Sequence, residues 1–388
     1  MSRAPLTFGS MEEPGSTREP GSTREPGLQQ EIRVIDAAGL SPSVWDDLAA
    51  RSRWGQAMQA HAWGELKRGL GWRPRRYIIE HGGKSIAVVS LQERPLMKRL
   101  PGAAGRLNYL YAPRGPVLLG QDPSAAAAAL AGLRWIARAR NAAVLTIDPA
   151  WEEGGALAAA LGPAGFRPAP REIQVSRTAM IVPVMADEAS QHRLLGDSTA
   201  RNINKARRAG VAAERIDLSD AAAAEAALQA FWVMFAATGR REGFVVRDRE
   251  YLLAGWRALG AAGLASLWFA TAGGRRRNGV LLLHCGRRLV SHQAGSPDDA
   301  DLRQTRANHL LQWEILRWAA AAGFEEYDLG GVDTGEAPGI PGDRSHPLWN
   351  LYEFKRGFGA RAVVLVRAHD HAPRAALGVA WRLARRLR

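Results

Sequence analysis

Apolar, strand-like runs alternate with helix-like stretches along this sequence, and the series occurs twice. The first series includes strand patterns at Tyr77–Ile79, Ser85–Leu91 and Val144–Ile147 and a helix pattern over Asp122–Asn141. The second begins at Ser176–Val184 and continues with helix patterns over Gln191–Ala209, Ala221–Thr238 and Arg306–Ala322 and strand patterns over Ala265–Thr271, Gly279–Cys285, Arg288–Ala294, Glu326–Leu329 and Ala362–Arg367. This alternation predicts an α/β or α+β fold made of a duplicated unit, with ligands bound at the junction of the two halves.

The first residues differ from the rest of the chain. The hexad Glu-Pro-Gly-Ser-Thr-Arg occurs twice in tandem from Glu13, and such a polar repeat cannot bury enough apolar surface to offset its ordering entropy. We therefore predict a disordered tail over residues 1–28. A first domain is expected over residues 29–175 and a second over residues 176–367.

Composition limits the class of protein. The chain has 388 residues, 46% of them apolar, which is enough for two domains with sizeable cores. No apolar run approaches the ~18 residues needed to cross a bilayer, and the N-terminus lacks the basic and apolar stretches of a secretory signal. The sequence therefore predicts a cytoplasmic chain without a membrane span.

The charge indicates the kind of partner. The chain has 52 Lys and Arg against 38 Asp and Glu, a net charge of +14. Such an excess favours RNA, phosphorylated metabolites or an anionic membrane surface.

Templates for nucleophiles and metals are not matched in the sequence. The nine histidines show no His-Glu-x-x-His spacing, and neither a Gly-x-Ser-x-Gly elbow nor a Gly-x-x-x-x-Gly-Lys loop occurs. The one cysteine, Cys285, excludes an internal disulfide and lies in an apolar strand pattern, which predicts a buried structural thiol. No metal and no cofactor are expected.

A cationic stripe is predicted on a helix in the second half. Arg201, Lys205 and Arg208 follow i, i+4, i+7 spacing, so they share one helical face that either binds phosphates or faces water. The same segment contains Arg207-x-x-Gly210-x-Ala212, which has the letters of the pyrophosphate loop of acetyl-CoA-dependent acetyltransferases. It stands at the end of a helix rather than at the start, which is the wrong context for that loop.

Two other segments present arginines. Arg114 follows Tyr111 in a turn bracketed by prolines, where its guanidinium either binds a ligand or is exposed. Arg241 belongs to the cluster Thr238–Phe244 near a helix end, where arginines either bind an anion or complement the helix dipole.

A loop of about twenty residues without any secondary-structure pattern runs from Gly330 to Trp349, and loops of that length in compact domains are usually functional or disordered. It leads into a segment where Lys355 is surrounded by aromatic residues that include Phe354. Lys355 there either acts as a partly desolvated charge beside a reacting carbonyl or extends to water at the entrance of a strand.

Taken together, these blocks resemble the FemABX family of aminoacyl-tRNA-dependent transferases that form peptidoglycan bridges. The matching blocks, in order, are Trp63-Gly64-Glu65-Leu66-Lys67 with Gly71-Trp72, Tyr-Ala-Pro-Arg-Gly-Pro-Val from Tyr111, Asn202 to Val211, Thr238 to Phe244 with Arg247 and Tyr251, Leu310 to Ile315, Tyr327-Asp328-Leu329-Gly330-Gly331, and Phe354-Lys355 with Gly357-Phe358. The resemblance implies an α+β fold of two tandem GNAT-like (acyl-CoA N-acyltransferase-type) mixed-sheet domains without acetyl-CoA. It also implies that the last helix, within residues 368–388, packs back on the first domain.

The resemblance implies the reaction as well. An amine on the stem peptide of UDP-MurNAc-pentapeptide or lipid II would attack the ester that links an amino acid to tRNA. Lys355, beside Phe354, would face the tetrahedral intermediate, and Lys67 and Arg241 would bind the precursor diphosphate. Tyr111 and Arg114 would line the same cleft, and Arg201, Lys205 and Arg208 would contact tRNA.

Two departures from the family pattern are visible. Only about a dozen residues separate Tyr251 from Leu264, so the long helical arm of some members is missing and the chain resembles the short, armless branch. Leu118-Leu119-Gly120 stand where an acidic residue is expected, which leaves a precursor-contacting carboxylate unassigned.

Other functions remain open from sequence. An acyl-CoA-dependent N-acyltransferase acting on a cell-envelope or small-molecule amine is the alternative that GNAT-like halves suggest. A non-catalytic RNA-binding protein is a third, which the net charge allows. We expect a cytoplasmic monomer, with contact at the inner face of the membrane, whose basic C-terminal helix either touches RNA or lipid or, preferentially, packs its Trp381 stripe on the first domain.

Overall fold

The computed structural model describes residues 6–7, 31–52, 55–96, 107–120, 122–297, 304–333 and 337–386. They form two mixed β-sheets with helices packed on them, an α+β arrangement. Of the predicted tail, Leu6–Thr7 form a two-residue strand, and the other residues before Glu31 lie outside the described part.

The first sheet has nine strands. They are Leu6–Thr7 (β1), Ile32–Asp36 (β2), Arg73–His81 (β3), Lys84–Pro95 (β4), Asn108–Ala112 (β5), Val117–Leu118 (β6), Ala142–Ile147 (β7), Arg167–Pro168 (β8) and His369–His371 (β16). Their order is β1-β2-β3-β4-β5-β7-β16-β8, with β6 paired to β4. The β5–β7 pair is parallel, and the other pairs are antiparallel.

The helices described beside this sheet, apart from the one that ends the chain, are Pro42–Ala50 (α1), His61–Arg68 (α2), Pro123–Ala139 (α3) and Ala156–Ala159 (α4). The helix predicted over Asp122–Asn141 is confirmed as α3. It begins where Asp122 Oδ1 accepts a hydrogen bond from the Ser124 amide at 2.8 Å, with Pro123 in its first turn. Its buried apolar face, which includes Leu133, packs in one core with Ile79 of β3.

The second sheet has seven strands in the order β10-β11-β12-β13-β14-β9-β15. They are Thr178–Pro183 (β9), Ala212–Ile216 (β10), Ala265–Ala272 (β11), Arg275–Cys285 (β12), Arg288–Gly295 (β13), Glu326–Gly331 (β14) and Arg361–Val364 (β15). The β13–β14 pair is parallel and the other pairs are antiparallel.

The helices described beside the second sheet are Glu188–Arg193 (α5), Asp197–Arg208 (α6), Ala221–Glu242 (α7), Arg249–Ala261 (α8), Ala307–Ala321 (α9) and Trp349–Arg356 (α10). The prediction of a single helix over Gln191–Ala209 is wrong, because the helix is interrupted between Arg193, the end of α5, and Asp197, the start of α6. Gly196 is extended there and its amide donates to Gly357 O at 2.9 Å, so a tertiary hydrogen bond starts α6 anew.

The two units share one strand plan. In each, four strands are consecutive neighbours (β2 to β5, and β10 to β13), the fourth pairs in parallel with the next central strand (β7 or β14), and two antiparallel strands complete the sheet. Two helices lie between the first and second strands in both units, and one long helix precedes the central strand. This correspondence is the pattern expected of a duplicated unit.

The C-terminal segment returns to the first unit. Strand β16 is inserted between β7 and β8, where the second sheet has β9. The final helix, Ala375–Arg386 (α11), packs on β7, and the Trp381 ring stacks on Tyr109 with centroids 4.9 Å apart. The Trp381 ring N–H also donates to Asp370 Oδ2 at 3.1 Å.

By length and hydropathy, α7 is the one helix among the described residues that could cross a membrane. Core helices of globular proteins pass the same test. Leu228 and Phe231 of α7 are fully buried, and the Phe231 ring lies 5.1 Å from that of Trp256 in α8.

Candidate active site

A cavity of about 1140 Å³ lies at the junction of the two units. Its walls include α2 of the first unit and α8 of the second, which pack against each other and occupy equivalent places in the two strand plans. Gly255 of α8 permits this approach, because a Cβ there would lie only 3.1 Å from Leu66 Cδ2. The predicted location of a ligand site between two related halves is thus matched by a cavity with walls from both.

A split in the second sheet forms the floor of the cavity. Strands β13 and β14 are paired only over Arg288–Val290 and Glu326–Asp328. Beyond these pairs, Ser291–Ala294 of β13 and Leu329–Gly331 of β14 line the cavity. The split therefore exposes backbone polar groups to any molecule bound there.

Lys355 reaches the cavity from α10 rather than from a strand entrance, which corrects the alternative stated above. Its side chain is only 7% exposed, and Nζ donates a hydrogen bond to Gly331 O at 2.7 Å. Burial lowers the pKa of Lys355 to about 8, although Asp328 acts in the opposite direction. Glycine suits the neighbouring position 330, since its φ of +83° lies in the left-handed region that side chains rarely adopt.

Lys67 enters the same cavity from α2. Its Nζ donates to the Tyr251 hydroxyl of α8 at 2.6 Å and lies 4.8 Å from the centroid of the Trp63 ring. The hydrogen bond thus links the first unit to the second. Lys67 and Lys355 supply two ammonium groups to one cavity.

Phe354 also lines the cavity and is fixed by aromatic neighbours. Its ring meets His309 edge-on at 4.9 Å, and His309 in turn lies 3.2 Å from the Asn202 amide nitrogen of α6. Desolvation lowers the pKa of His309 to about 4, so its imidazole is neutral at physiological pH.

Tyr111 lines the cavity as part of a buried polar cluster that the sequence did not predict. Asp148, at the end of β7, accepts hydrogen bonds from the Tyr111 hydroxyl at 2.9 Å and from Gln174 Nε2 at 2.7 Å. Desolvation raises the pKa of Asp148, and burial together with this carboxylate raises the pKa of Tyr111. Asp148 is fully buried, so it positions Tyr111 and Gln174 rather than offering a free carboxylate to the cavity.

Arg114 and Arg241 are not among the described residues that line the cavity. The Arg114 amide donates to Asp148 Oδ1 at 2.6 Å, while its guanidinium turns to Ser176 O at 3.3 Å. Arg241 is exposed near the end of α7, where it pairs with Glu242 at 2.9 Å and donates to Ser296 Oγ at 3.1 Å. The arginine of this region that lines the wall is Arg247.

The cationic stripe is present as predicted on α6. Arg201, Lys205 and Arg208 are exposed, whereas Ile203 and Ala206 are buried on the opposite face. Gly210 follows the helix with φ +69°, so the acetyltransferase-like residue pattern from Arg207 to Ala212 lies at the C-terminal end of α6. No helix N-terminus is available at that position to hold a pyrophosphate.

His292 is a cavity residue that the sequence pattern does not predict. It lines the cavity from β13, its ring faces Trp63 edge-on at 6.3 Å, and enclosure together with the charge of Lys67 lowers its pKa to about 4. The available signal was the polar run Ser291–Gln293 inside an otherwise apolar strand pattern. Such a run is expected where one side of a strand borders a polar cavity.

The chemistry open to this cavity is charge stabilisation. Cys285 is buried outside the lining, and burial raises its thiol pKa to about 12, which removes it as a nucleophile. Within the described ranges, no group of three or more His, Cys, Asp or Glu side chains could hold a metal ion. The lining offers two ammonium groups, the neutral imidazole of His292, the Asp333 carboxylate and exposed strand ends, which suits acyl transfer between two bound substrates.

Comparison with known proteins agrees with this picture. The family described as Acetyltransferase (GNAT) domain matches residues 197–356. A lipid II:glycine glycyltransferase of Staphylococcus haemolyticus is 22% identical over 377 residues, covering 79% of this chain and 85% of that protein. The crystal structure of FemX superposes with a TM-score of 0.71 at 20% identity, covering 86% of this chain and 96% of the other.

These matches agree with the resemblance to the FemABX family that the sequence blocks indicate. The two tandem GNAT-like units of this chain are the fold that the resemblance predicted, and that prediction is confirmed. A second relative, the lipid II:glycine glycyltransferase of Staphylococcus aureus, is 29% identical over 205 residues. That match covers 51% of this chain and 46% of the relative, so the chain spans about half the length of this relative.

Proposed function

We propose that this protein transfers an amino acid from aminoacyl-tRNA to the stem-peptide amine of a peptidoglycan precursor, either lipid II or UDP-MurNAc-pentapeptide. The observation that carries the proposal is the buried ammonium of Lys355 in a cavity shared by both units. The printed names of the relatives, lipid II:glycine glycyltransferase, favour the lipid-linked acceptor.

Lys355 would stabilise the oxyanion. With a pKa of about 8, about nine in ten Lys355 side chains carry a proton at pH 7. The ammonium uses one of its three N–H groups on Gly331 O, which leaves donors for an oxygen that becomes negative. A charge-assisted hydrogen bond in a site shielded from water favours the transition state more than the ground state.

The step balances without a covalent enzyme intermediate. The acceptor nitrogen attacks the ester carbonyl carbon, and the carbonyl oxygen becomes the oxyanion that Lys355 would face. When the tetrahedral intermediate collapses, the C–N bond remains and the bond from carbon to the 3′-terminal ribose oxygen breaks. One proton leaves the nitrogen and one reaches the departing oxygen, so no net charge is created.

The other cavity residues fit binding roles. Lys67, whose Nζ donates a hydrogen bond to Tyr251, would bind the precursor diphosphate, and Phe354 and Tyr111 would border the peptide. Arg241 would contact only a part of the precursor that extends beyond the cavity, because Arg247, and not Arg241, lines the cavity wall. Arg114 would act indirectly, because its backbone amide donates a hydrogen bond to Asp148, which in turn positions Tyr111.

The tRNA would reach the cavity from the side of α6. The exposed stripe of Arg201, Lys205 and Arg208 suits phosphates, and Asn202 of the same helix contacts His309, which holds Phe354 at the cavity wall. If lipid II is the acceptor, the protein would act at the cytoplasmic face of the membrane.

A transfer assay tests the proposal. Radiolabelled aminoacyl-tRNA is incubated with the protein and either lipid II or UDP-MurNAc-pentapeptide, and label in the acceptor is measured. Transfer to either acceptor supports the proposal and identifies the precursor. No transfer to either, across a panel of aminoacyl-tRNAs, contradicts it.

An acyl-CoA-dependent N-acyltransferase is the second candidate, and the match to an acetyltransferase domain favours it. Calorimetry with acetyl-CoA separates the two. We expect no saturable binding. The residue pattern of an acetyl-CoA loop, Arg207 to Ala212, lies at a helix C-terminus, whereas a pyrophosphate binds at a helix N-terminus.

A further inference from the structure

The mouth of the cavity carries a concentration of exposed apolar side chains. Five of the ten exposed large apolar residues in the described part border this one cavity, a set we call the apolar collar: Leu70, Val175, Phe244, Val245 and Leu351. Val245 is 94% exposed and Val175 is 87% exposed. A residue that borders a cavity and is almost wholly exposed can only stand at its rim.

The apolar collar is assembled from both units. Leu70 follows α2, Val175 precedes β9, Phe244 and Val245 lie in the loop between α7 and α8, and Leu351 belongs to α10. These segments are far apart in sequence and meet at one opening. Isolated exposed valines are ordinary, but several around one opening mark an interaction surface.

Cations accompany the apolar collar. Within four residues of Phe244 or Val245 the sequence has Arg240, Arg241, Arg247 and Arg249 against Glu242 and Asp248, a net charge of +2. Arg240 and Arg247 take part in no ion pair among the described residues. Lys67 stands inside the opening. Apolar side chains set among arginines are the composition of a surface that lies on an anionic bilayer.

We propose that the apolar collar docks the cavity mouth on an anionic phospholipid bilayer, so that the acceptor enters directly from the membrane surface. The proposal rests on the proposed function, because a lipid-linked precursor carries its diphosphate at that surface. An RNA partner is less suited, because four of the five side chains are aliphatic and offer no ring on which bases could stack.

Matched variants test the docking. Val175→Asp with Val245→Asp places two carboxylates in the apolar collar at positions that are almost wholly exposed, so the fold has little to lose. The control is Val233→Asp, a valine of α7 that is 59% exposed and does not border the cavity. Circular dichroism and the unfolding midpoint should be the same for all three proteins.

Binding is measured by flotation with vesicles of equal parts phosphatidylglycerol and phosphatidylcholine, with pure phosphatidylcholine vesicles in parallel. We expect wild type and Val233→Asp to float with the anionic vesicles, and the double variant to bind at least about tenfold more weakly. Equal binding by the double variant and the control would overturn the proposal, as would loss of tRNA binding with vesicle binding unchanged.

The enzymatic readout separates this proposal from the proposed function. The double variant should keep its transfer rate with a water-soluble precursor and lose it with lipid II embedded in vesicles. A wild type that floats but transfers nothing would refute the proposed function and leave the docking surface in place. A double variant slowed equally on both acceptors would assign the apolar collar to the reaction site instead.

Discussion

At the scale of single residues, Lys355 combines burial with a positive charge. Its hydrogen bond to Gly331 O compensates part of the desolvation, and the lowered pKa of about 8 shows that part remains. A buried ammonium that costs stability is expected where charge is needed for a reaction.

Replacing Lys355 with methionine should therefore separate activity from stability. We expect kcat to fall by about 10²–10³, the usual loss when one oxyanion donor is removed. The free energy of unfolding at pH 7 should rise by about 1–3 kcal/mol, because a folded pKa of about 8 against 10.5 unfolded costs up to about 3 kcal/mol. Single-turnover transfer and urea unfolding measure the two effects.

Lys84→Met is the matched control, since Lys84 is exposed at the start of β4. It should leave both quantities within experimental error of wild type. Precursor binding by Lys355→Met should stay nearly intact. Wild-type turnover in Lys355→Met would remove the oxyanion role from this residue.

The pH profile gives a separate prediction at Lys355. Its ammonium loses the proton as pH rises through about 8, so oxyanion stabilisation should fade above that value. Lys355→Arg keeps its charge throughout this range. The rate ratio of wild type to Lys355→Arg should be constant below pH 7 and fall up to about tenfold per pH unit well above pH 8. A ratio that stays flat to pH 9.5 would contradict the assignment.

Asp148 supports a different prediction. It accepts three hydrogen bonds, from the Arg114 amide, the Tyr111 hydroxyl and Gln174. Asp148→Ala removes the acceptor of all three donors and should lower the free energy of unfolding by about 3 kcal/mol. Asp148→Asn keeps one acceptor oxygen and turns its NH2 group toward the donors of the other, so it should lose less than Asp148→Ala. Urea unfolding measures both, and equal losses in the two variants would argue against this hydrogen-bond role.

At the scale of elements, the exposed stripe on α6 predicts a change in salt dependence. Arg201→Ala with Arg208→Ala should weaken tRNA binding and reduce the slope of log K against log salt by about 1 to 2. The control is Arg138→Ala with Arg275→Ala, which removes the same charge from exposed positions on α3 and β12. Filter binding over a salt series measures the slope, and equal slopes in the two double variants would refute a tRNA role for the stripe.

The elements also show what sequence patterns can reach. Long elements with strong periodicity, such as α3 and α7, were predicted within a few residues because local capping fixes their ends: Asp122 and Asp220 cap them, and Gly243 ends α7 with φ +74°. The break at Gly196 was missed because it depends on a hydrogen bond to Gly357, which is distant in sequence.

The candidate site was predictable only where its residues belong to recognisable local sequence blocks. Lys67, Tyr111, Phe354 and Lys355 stand in the sequence blocks that resemble the family, and all four line one cavity. Asp148 and His292 were not found, since one is an acid after a buried strand and the other a histidine within a strand pattern. Their roles arise only when β7 meets Gln174 and when β13 separates from β14.

At the scale of the whole molecule, duplication explains where the cavity lies. Helices α2 and α8 occupy equivalent places in the two units and pack on each other at the junction. The residues that the two units contribute to the cavity wall nevertheless differ. Only the second sheet opens between its parallel strands, because β5 and β7 stay paired from Asn108 to Ala112. One unit therefore supplies the split that holds Lys355, and the other supplies Lys67.

The return of the chain to the first sheet gives the last prediction. Removing residues 372–388 deletes α11 and its Trp381 contact with Tyr109, whereas removing residues 369–388 also deletes β16. Because β16 is an interior strand, its loss leaves β7 and β8 unpaired on that side and exposes buried Leu145 and Ile147.

We expect the shorter deletion to lower the unfolding midpoint and to keep the oligomeric state of the full chain, since α11 covers a limited area of the sheet. The longer deletion should fail to give a cooperative transition and should aggregate, because an open edge of an apolar strand pairs with other chains. Urea unfolding and light scattering compare the two proteins. Equal midpoints would mean that β16 contributes no more than the helix that follows it, and that the first unit is complete without the end of the chain.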